Sequence, residues 1–296
     1  MKKPRLILGL FVAISGVVSA QRWYGGGEGG WISEGTRTAR EVASHSTGTP
    51  MWTNPKGFER DVFTFARLRY SSGEGGYGGF GYGRGRSNRW ATDTPDSDLN
   101  LSYRLQQMTS MKVSPDGRYL RLTDPDLGDY PFVYIVEPGG LYLKDEEVTA
   151  LRKYLLNGGF LMLDDFWGAR EWANMERELK KVFPERNFRE LPLEHPIYHC
   201  VFEIKAKGQV PNVRLGAESQ YDPEHRTWED HGADSETVHH RAIFDDKGRL
   251  MVLATHNTDN GDGWEREGES DYYFHNFSEK IAYPLGINVI FYVMTH

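Results

Sequence analysis

The sequence predicts an α/β protein with a doubly wound, mainly parallel sheet that is flanked by helices. The first observation is a continuous apolar run, Phe132–Val136, which is typical of a strand buried on both faces. The second is an apolar stripe of helical period that starts near Lys144 and stops at Gly158-Gly159. Another buried strand, Phe160–Leu163, follows at once. Strand, helix and strand in this order imply a right-handed crossover and parallel strands.

The same two periodicities predict the other elements in chain order. A β-rich run, Asp61–Tyr70, is followed by a short helix, Asp98–Met108, with its leucines on one face. The helix near Lys144 carries Asp145–Glu147 in its first turn, where acidic side chains suit the helix dipole. The remaining predicted elements are strands at 119–122, 197–204 and 250–255 and helices at 169–183 and 278–294.

The N-terminal residues 1–20 are typical of a secretory signal peptide. Lys2, Lys3 and Arg5 precede the apolar run Leu6–Val18, and small residues around Ala20 suit cleavage. The run is shorter than the roughly 20 residues that a membrane span needs, so we expect no transmembrane segment in the mature chain. The mature protein is therefore predicted to be exported, to the periplasm or the extracellular space.

The rest of the chain divides into an arm and one domain. Residues 21–57 are rich in Gly, Ser and Thr without apolar periodicity, which predicts a flexible N-terminal arm. Residues 58–296 are predicted to form a single α/β domain. It contains a Gly-rich loop at 71–86, in which a G-x-G-x-x-G match at Gly76–Gly81 is expected by chance at this glycine density.

Charge and cysteine content exclude two classes of protein. Removal of residues 1–20 takes away three basic residues, so the net charge moves from −7 to −10. Because nucleic-acid binding needs a basic surface, we predict no nucleic-acid partner. Cys200 is the only cysteine, so the chain forms no internal disulfide, and its stability must come from a packed core.

Several segments spread over residues 58–296 are similar to one protein family. They are FTFARLRYSSG, WATDTPDSDLNLSYRLQ, LRLTDPDLGDYPFVYIVEPG, LRKYLLNGGFLMLDDFWG, HPIYHCVF, and DGWEREG with YYFHNFSEKIAYPLGINVIFYVMTH. They resemble the bacterial domain-of-unknown-function family 4159. The resemblance implies a class I glutamine amidotransferase-like fold, a flavodoxin-like sandwich related to the ThuA-like group, and it implies no reaction.

The resemblance also permits a test for the amidotransferase nucleophile. Active class I enzymes carry a cysteine on the sharp turn after a central strand, where a helix N-terminus lowers its pKa. The similar place in this chain, Leu163–Gly168, has neither cysteine nor serine. Cys200 lies in an apolar run, where a structural thiol is more common than a nucleophile. Glutamine hydrolysis is therefore not expected.

Carboxylates at predicted strand ends are the candidate catalytic residues. Asp164 and Asp165 end one strand and Glu137 ends the preceding one, so all three lie at the edge where α/β folds bind ligands. His256, after the strand 250–255, is the fourth candidate. The alternative is structural, with one aspartate capping the next helix and the other anchoring a loop.

Two further groups are candidates for ligand and metal binding. Trp167, Asn257, Trp264 and Glu265 are expected to line the same crevice. Asp93, Asp96 and Asp98 are the candidate metal ligands. Asp96, Asp98 and Asn100 have the spacing of the start of a calcium loop, but glycine and glutamate are missing from the later positions that an EF-hand requires. The sequence establishes no cofactor, although a divalent metal ion is compatible with these carboxylates.

Two functions fit these observations. The favoured one is a non-catalytic module that binds a protein or a small polar ligand, because the fold's nucleophile is missing. The alternative is a carboxylate- or metal-dependent hydrolase that acts on a glycan or another polar substrate.

Overall fold

The computed structural model describes residues 32–58, 61–72 and 88–296. The strands are β1 Ala66–Leu68, β2 Ser71–Ser72, β3 Arg118–Leu120, β4 Phe132–Val136, β5 Leu141–Tyr142, β6 Phe160–Asp164, β7 Arg189–Glu190, β8 His239–Phe244 and β9 Leu250–His256. The α-helices are α1 Asp96–Met108, α2 Asp145–Leu156, α3 Gly168–Val182, α4 Val213–Ser219, α5 Asn260–Glu265, α6 Asp271–Tyr273 and α7 Tyr283–Thr295, and a π-helix spans Phe274–Ala282.

The main sheet confirms the prediction of a mostly parallel α/β arrangement. Its seven strands lie in the order β3-β1-β4-β6-β9-β8-β7. The first five are parallel, whereas β8 runs antiparallel to β9 and β7 antiparallel to β8. The chain places β3 on one side of β1 and β4 on the other, and ligands of α/β folds bind at the carboxyl ends of strands at such a reversal.

The central strands are buried on both faces, and this is why they are continuously apolar. Tyr134 and Met162 point into one hydrophobic core, and their neighbours Ile135 and Leu163 point into the other. Buried residues of α2 and α3 belong to the second core, whereas α7 belongs to the first. The register pairs Val136 with Asp164, so β4 and β6 end side by side.

The structure corrects two predicted elements and adds a strand that was not predicted. The strand predicted at 197–204 is wrong, because Pro196–Tyr198 forms a short 3-10 helix and the Asn288 carboxamide oxygen then accepts the amides of Val201 and Phe202. The first strand is only three residues long. The strand β8 was missed, because it begins with two histidines and an arginine in place of an apolar pattern.

The described part of the predicted flexible arm, residues 32–57, packs against the domain. Ala39 is fully buried, the Arg40 guanidinium donates to the Pro115 carbonyl, and the Trp52 indole donates to the Val113 carbonyl at 3.0 Å. These contacts join side chains to main-chain carbonyls, which apolar periodicity does not reveal. The predicted signal peptide and residues 73–86 of the Gly-rich loop lie outside the described residues. None of the helices in the described ranges is both long and apolar enough to cross a membrane.

Candidate functional site

Four polar residues at the carboxyl edge of the sheet adopt left-handed backbone conformations. Glu137, Asp165 and Asn257 follow β4, β6 and β9 directly, and Asp93 lies just before α1, with φ values of 49°, 56°, 61° and 64°. Such conformations cost about 1–3 kcal/mol in a residue other than glycine, and they concentrate at functional sites. Only two other described non-glycine residues have a positive φ, so the strain is concentrated at this edge.

A charged cavity of about 510 Å³ opens at this edge. Its lining contains five carboxylates, two arginines, a histidine and a tryptophan: Arg89, Glu137, Asp165, Trp167, Arg170, Glu171, Glu229, Asp230 and His231. The volume lies within the range of about 300–1,000 Å³ that small-molecule sites occupy. The near absence of apolar side chains favours a hydrophilic ligand.

Asp165 lies on the turn between β6 and α3 and contributes its carboxylate to the cavity. Its Oδ1 accepts a hydrogen bond from the Trp167 indole at 3.0 Å. Burial, together with the negative charges of Glu137, Glu229 and Asp93, raises the pKa of Asp165 well above its usual range. Asp165 therefore retains its proton at pH values where an ordinary aspartate is ionised.

Glu137 and Glu171, in contrast, have partners that favour the ionised form. Arg89 lies 3.1 Å from the Glu137 carboxylate, which also accepts the Thr92 hydroxyl at 2.8 Å. Burial opposes ionisation of Glu171, but hydrogen bonds from His231 and from the Trp167 amide lower its pKa overall. The cavity thus brings together a carboxyl group with a raised pKa, Asp165, and one with a lowered pKa, Glu171.

Three carboxylates beside the cavity have the geometry of a cation site. Oxygen atoms of Asp93, Asp165 and Asp259 lie within 4.8 Å of one another, and they come from three separate segments of the chain. Burial and the charge of Asp165 raise the pKa of Asp259 well above its usual range. Carboxylate oxygens are the ligands that Mg²⁺ and Ca²⁺ prefer, so these three residues could hold a hard divalent cation.

The two adjacent aspartates have different roles. Asp164 is fully buried, and its carboxylate accepts hydrogen bonds from four groups. The donors are the hydroxyls of Tyr134 (3.0 Å) and Thr255 (2.5 Å), the Asn260 carboxamide (2.8 Å) and the Gly261 amide (3.1 Å). The structural alternative therefore describes Asp164, whereas Asp165 faces the crevice, because successive residues at a strand end point to opposite sides.

His256 does not join the carboxylates in the cavity. Its ring packs against Phe166 and Trp172, and its Nε2 lies 3.1 Å from the Gly168 carbonyl. Burial lowers the pKa of His256 to about 4, so the imidazole is neutral at physiological pH. The convergence of His256 with Glu137 and Asp165 that the sequence predicted is not found, because the His256 ring packs against Phe166 and Trp172 and does not line the cavity.

Of the four predicted ligand-binding residues, only Trp167 lines the cavity. The Asn257 carboxamide accepts the Gly168 amide and donates to the Asp234 and Thr237 carbonyls, so it fixes the surrounding loops. Trp264 is fully buried, and its indole donates to a main-chain carbonyl within the core. Glu265 is 1% exposed and pairs with the adjacent Arg266 at 2.9 Å.

The predicted calcium-like cluster is divided among three places. Asp96 accepts the Ser44 hydroxyl and the His45 amide and so anchors the N-terminal segment. Asp98 forms a fully buried ion pair with Arg67. Asp93 alone lies near the cavity, in the group with Asp165 and Asp259. The i, i+2 spacing of Asp96 and Asp98 suggested a single metal site. In the structure the three aspartates lie around the start of α1 and point in different directions.

The sequence did not predict two groups of residues that line the cavity, namely the arginines and the loop residues Glu229 to His231. Arg89 begins a short 3-10 helix, Arg89–Ala91, and Glu229 to His231 lie in a long irregular segment for which local patterns predict no position. Glu171 was detectable in principle, because it lies in the first turn of a helix that starts at the predicted ligand edge.

Comparisons with known proteins place the chain in a family without assigning a reaction. A comparison with curated proteins gives no significant match. The model of a family described as "Domain of unknown function (DUF4159)" matches residues 64–294, which is most of the chain and contains every residue that lines the cavity. The chain therefore belongs to the DUF4159 family.

Proposed function

We propose that this protein is an exported, non-catalytic binding module that takes a small polar ligand in the cavity at the carboxyl edge of β4 and β6. The observation that carries the proposal is the cavity itself, in which eight of the nine lining residues bear titratable or charged side chains. Export rests on the signal-like pattern of residues 1–20. The absent cysteine at the turn after β6 supports binding without amidotransferase chemistry.

The lining favours a ligand that donates hydrogen bonds and carries positive charge. Five carboxylates face two arginines and one histidine, and Arg89 is already paired with Glu137. Carboxylates accept hydrogen bonds from hydroxyl and ammonium groups, and the neighbouring indole of Trp167 offers an aromatic surface. An amino sugar combines these features, so we propose amino sugars as the ligand class.

The test is ligand-induced thermal stabilisation of the mature protein. We expect glucosamine to raise the melting temperature more than glucose does, because only glucosamine carries an ammonium group. A ligand at a hundredfold excess over its dissociation constant adds about 2.7 kcal/mol to the stability of the folded state.

Variants make this test specific to the cavity. Asp165→Asn and Glu137→Gln are expected to abolish the glucosamine response, whereas Asp246→Asn is expected to keep it, because that carboxylate is 90% exposed and outside the cavity. Absence of a glucosamine response in the wild type, or an equal response in all variants, would contradict the proposal.

A second candidate is a carboxylate-dependent hydrolase, and the contrast between Asp165 and its neighbours favours it. Two carboxyl groups whose pKa values are pushed apart are typical of an acid and base pair. Asp165 would donate its proton to the departing glycosidic oxygen as the C–O bond breaks. Glu137, which pairs with Arg89, would accept a proton from the water whose oxygen attacks the same carbon. Asp93, Asp165 and Asp259 could alternatively hold a divalent cation that activates this water.

Activity measurements separate the two candidates. Release of p-nitrophenol from aryl glycosides by the wild type, lost in Asp165→Asn and in Glu137→Gln, would favour the hydrolase. Metal analysis of the purified protein, with and without Asp93→Asn, tests the metal-dependent form. Glucosamine binding without any hydrolysis would leave the binding module as the function.

We also infer that the fold is of the class I glutamine amidotransferase-like, flavodoxin-like type that the family resemblance implies. The order β3-β1-β4-β6 and the strained turn after β6 support this inference. Asp165 then stands where the catalytic cysteine of those enzymes would be.

A further inference from the structure

One wall of the cavity is a loop segment, residues 229–235, that lies against the first turn of α3. The Ala169 amide donates to the Ala233 carbonyl at 2.7 Å. Gly168 has a φ of 73°, and a Cβ atom there would lie 2.9 Å from the His231 carbonyl oxygen, so the close approach requires glycine. Within the segment, the Ser235 hydroxyl accepts the His231 amide and donates to the Gly232 carbonyl.

His231 joins this segment to the opposite side of the cavity. Its Nδ1 lies 3.5 Å from the Glu171 carboxylate of α3, and its Nε2 lies 3.7 Å from the Glu229 carboxylate of its own segment. Its ring centroid lies 6.4 Å from that of Trp167. Since the side chain is 40% exposed, protons can reach it from solvent.

Charged groups from three elements lie around His231 and influence its pKa. Glu171 on α3 and Glu229 favour the imidazolium form, and Arg89 of the 3-10 helix opposes it. Hydrogen bonding to Glu171 is the largest influence, and burial works against it, with the result that the pKa of His231 is raised above its ordinary value. Below this pKa, one cation separates two carboxylates, and above it the carboxylates face each other without that cation.

We infer that His231 is a pH-dependent latch that fixes the wall segment 229–235 over the cavity in acidic conditions and loosens it in alkaline conditions. The two glutamates, Glu171 and Glu229, are held in place by different parts of the structure. Glu171 belongs to a helix of the core layer, whereas Glu229 is held by the amide and carboxamide of Asn212 at the start of α4. Loss of the imidazolium therefore leaves repulsion between two anchored carboxylates and weakens the contact of the segment with α3. A role of this latch in retaining a ligand rests on the proposed binding function.

The latch is tested on the ligand-free mature protein by hydrogen–deuterium exchange at pH 5.5 and pH 8.0, corrected for the intrinsic pH dependence of exchange. In the wild type we expect the amides of Ala169 and of the segment 229–235 to be about five- to tenfold more protected at the lower pH, because the ion pairs of the His231 imidazolium with Glu171 and Glu229 hold the segment there. In His231→Gln this difference is expected to disappear. In Glu171→Gln it is expected to fall by at least half.

His275→Gln is the matched control, because His275 pairs with Glu279 at 2.9 Å on a solvent-exposed helix face and lies outside the cavity. It is expected to keep the full pH dependence of the wild type at 229–235. A pH dependence in His231→Gln equal to that of the wild type would overturn the latch. A normal latch together with no glucosamine response in any variant would instead overturn only the proposed ligand.

Discussion

Replacement of Arg67 with alanine is expected to lower the free energy of unfolding by about 3–5 kcal/mol, the cost of breaking a buried ion pair by removing one partner. The Arg67 side chain is completely buried on β1. Its guanidinium lies 2.5 Å from the Asp98 carboxylate of α1 and also donates to the carbonyls of Trp90 and Thr92. The variant leaves the Asp98 charge in the core and two carbonyls without their donor. Urea denaturation at pH 7 measures this loss.

Two further variants make the Arg67 prediction specific. Arg37→Ala, which breaks a pair with Asp124 in which the arginine side chain is 56% exposed, should cost less than about 1 kcal/mol. The double variant Arg67→Met with Asp98→Leu should recover most of the stability, because no charge is then left buried. A loss in Arg67→Ala as small as that in Arg37→Ala would show that the buried pair does not hold α1 on the sheet.

The Arg67 network also connects the core to the cavity. The carbonyls that Arg67 binds belong to the segment between Asn88 and Asp96, which contributes Arg89 to the lining and Asp93 to the carboxylate group. Removal of Arg67 should therefore also weaken the glucosamine response. The cavity thus depends on the charge of Arg67. Because Arg67 lies in an apolar strand, its sequence surroundings predict that it is buried but not that it supports a site.

The elements around the cavity differ in how far the sequence predicts them. The strands β4 and β6 and the helices α2 and α3 follow from local patterns, because a doubly buried strand is continuously apolar and a one-sided helix has an apolar stripe. Their order then places Glu137 and Asp165 at one edge by the strand-end rule alone. Trp167 follows because it is two residues beyond Asp165.

Residues contributed by irregular segments were beyond these rules. Glu229 and His231 reach the cavity, and Asp259 reaches the carboxylate group beside it, through contacts of loops with distant parts of the chain that no periodicity encodes. Trp264 was predicted to line the crevice, but the glycine- and aspartate-rich segment around it forms the buried helix α5. Whether Asp164 or Asp165 faces the cavity depends on the side of the sheet to which each points. Successive residues of a strand point to opposite sides, so a shift of one residue would exchange their roles.

The aspartates at the end of β6 are expected to respond in opposite directions to the same substitution. Asp164→Asn should destabilise the protein by about 2–4 kcal/mol, because an amide group would face at least one of the four hydrogen-bond donors that now point at the carboxylate. Burial raises the pKa of Asp164 in spite of these donors, so the contribution of this group to stability is complete below the unfolded-state pKa of about 3.9 and falls as the pH rises through the folded-state value. The loss in the variant should therefore be larger near pH 4 than near pH 8, as measured by urea denaturation.

Asp165→Asn should instead stabilise the ligand-free protein at pH 7 by about 1–2 kcal/mol, a common gain when a functional constraint is removed. The pKa of Asp165 is raised in the folded state, so its contribution to stability is complete below the unfolded-state pKa of about 3.9 and is lost as the pH rises through the folded-state value. Asparagine keeps the oxygen that accepts the Trp167 indole and tolerates the left-handed backbone, but it has no charge to bury.

The pH dependence distinguishes this explanation from a general effect of the amide. The stability difference between Asp165→Asn and the wild type should be smallest near pH 4 and should grow toward pH 8, because the folded wild type holds a proton on Asp165 that the unfolded chain releases. A constant difference, or destabilisation like that of Asp164→Asn, would show that Asp165 is a structural anchor. If stability rises while the glucosamine response is lost, then the native chain retains a destabilising carboxyl group because its ligand requires that group.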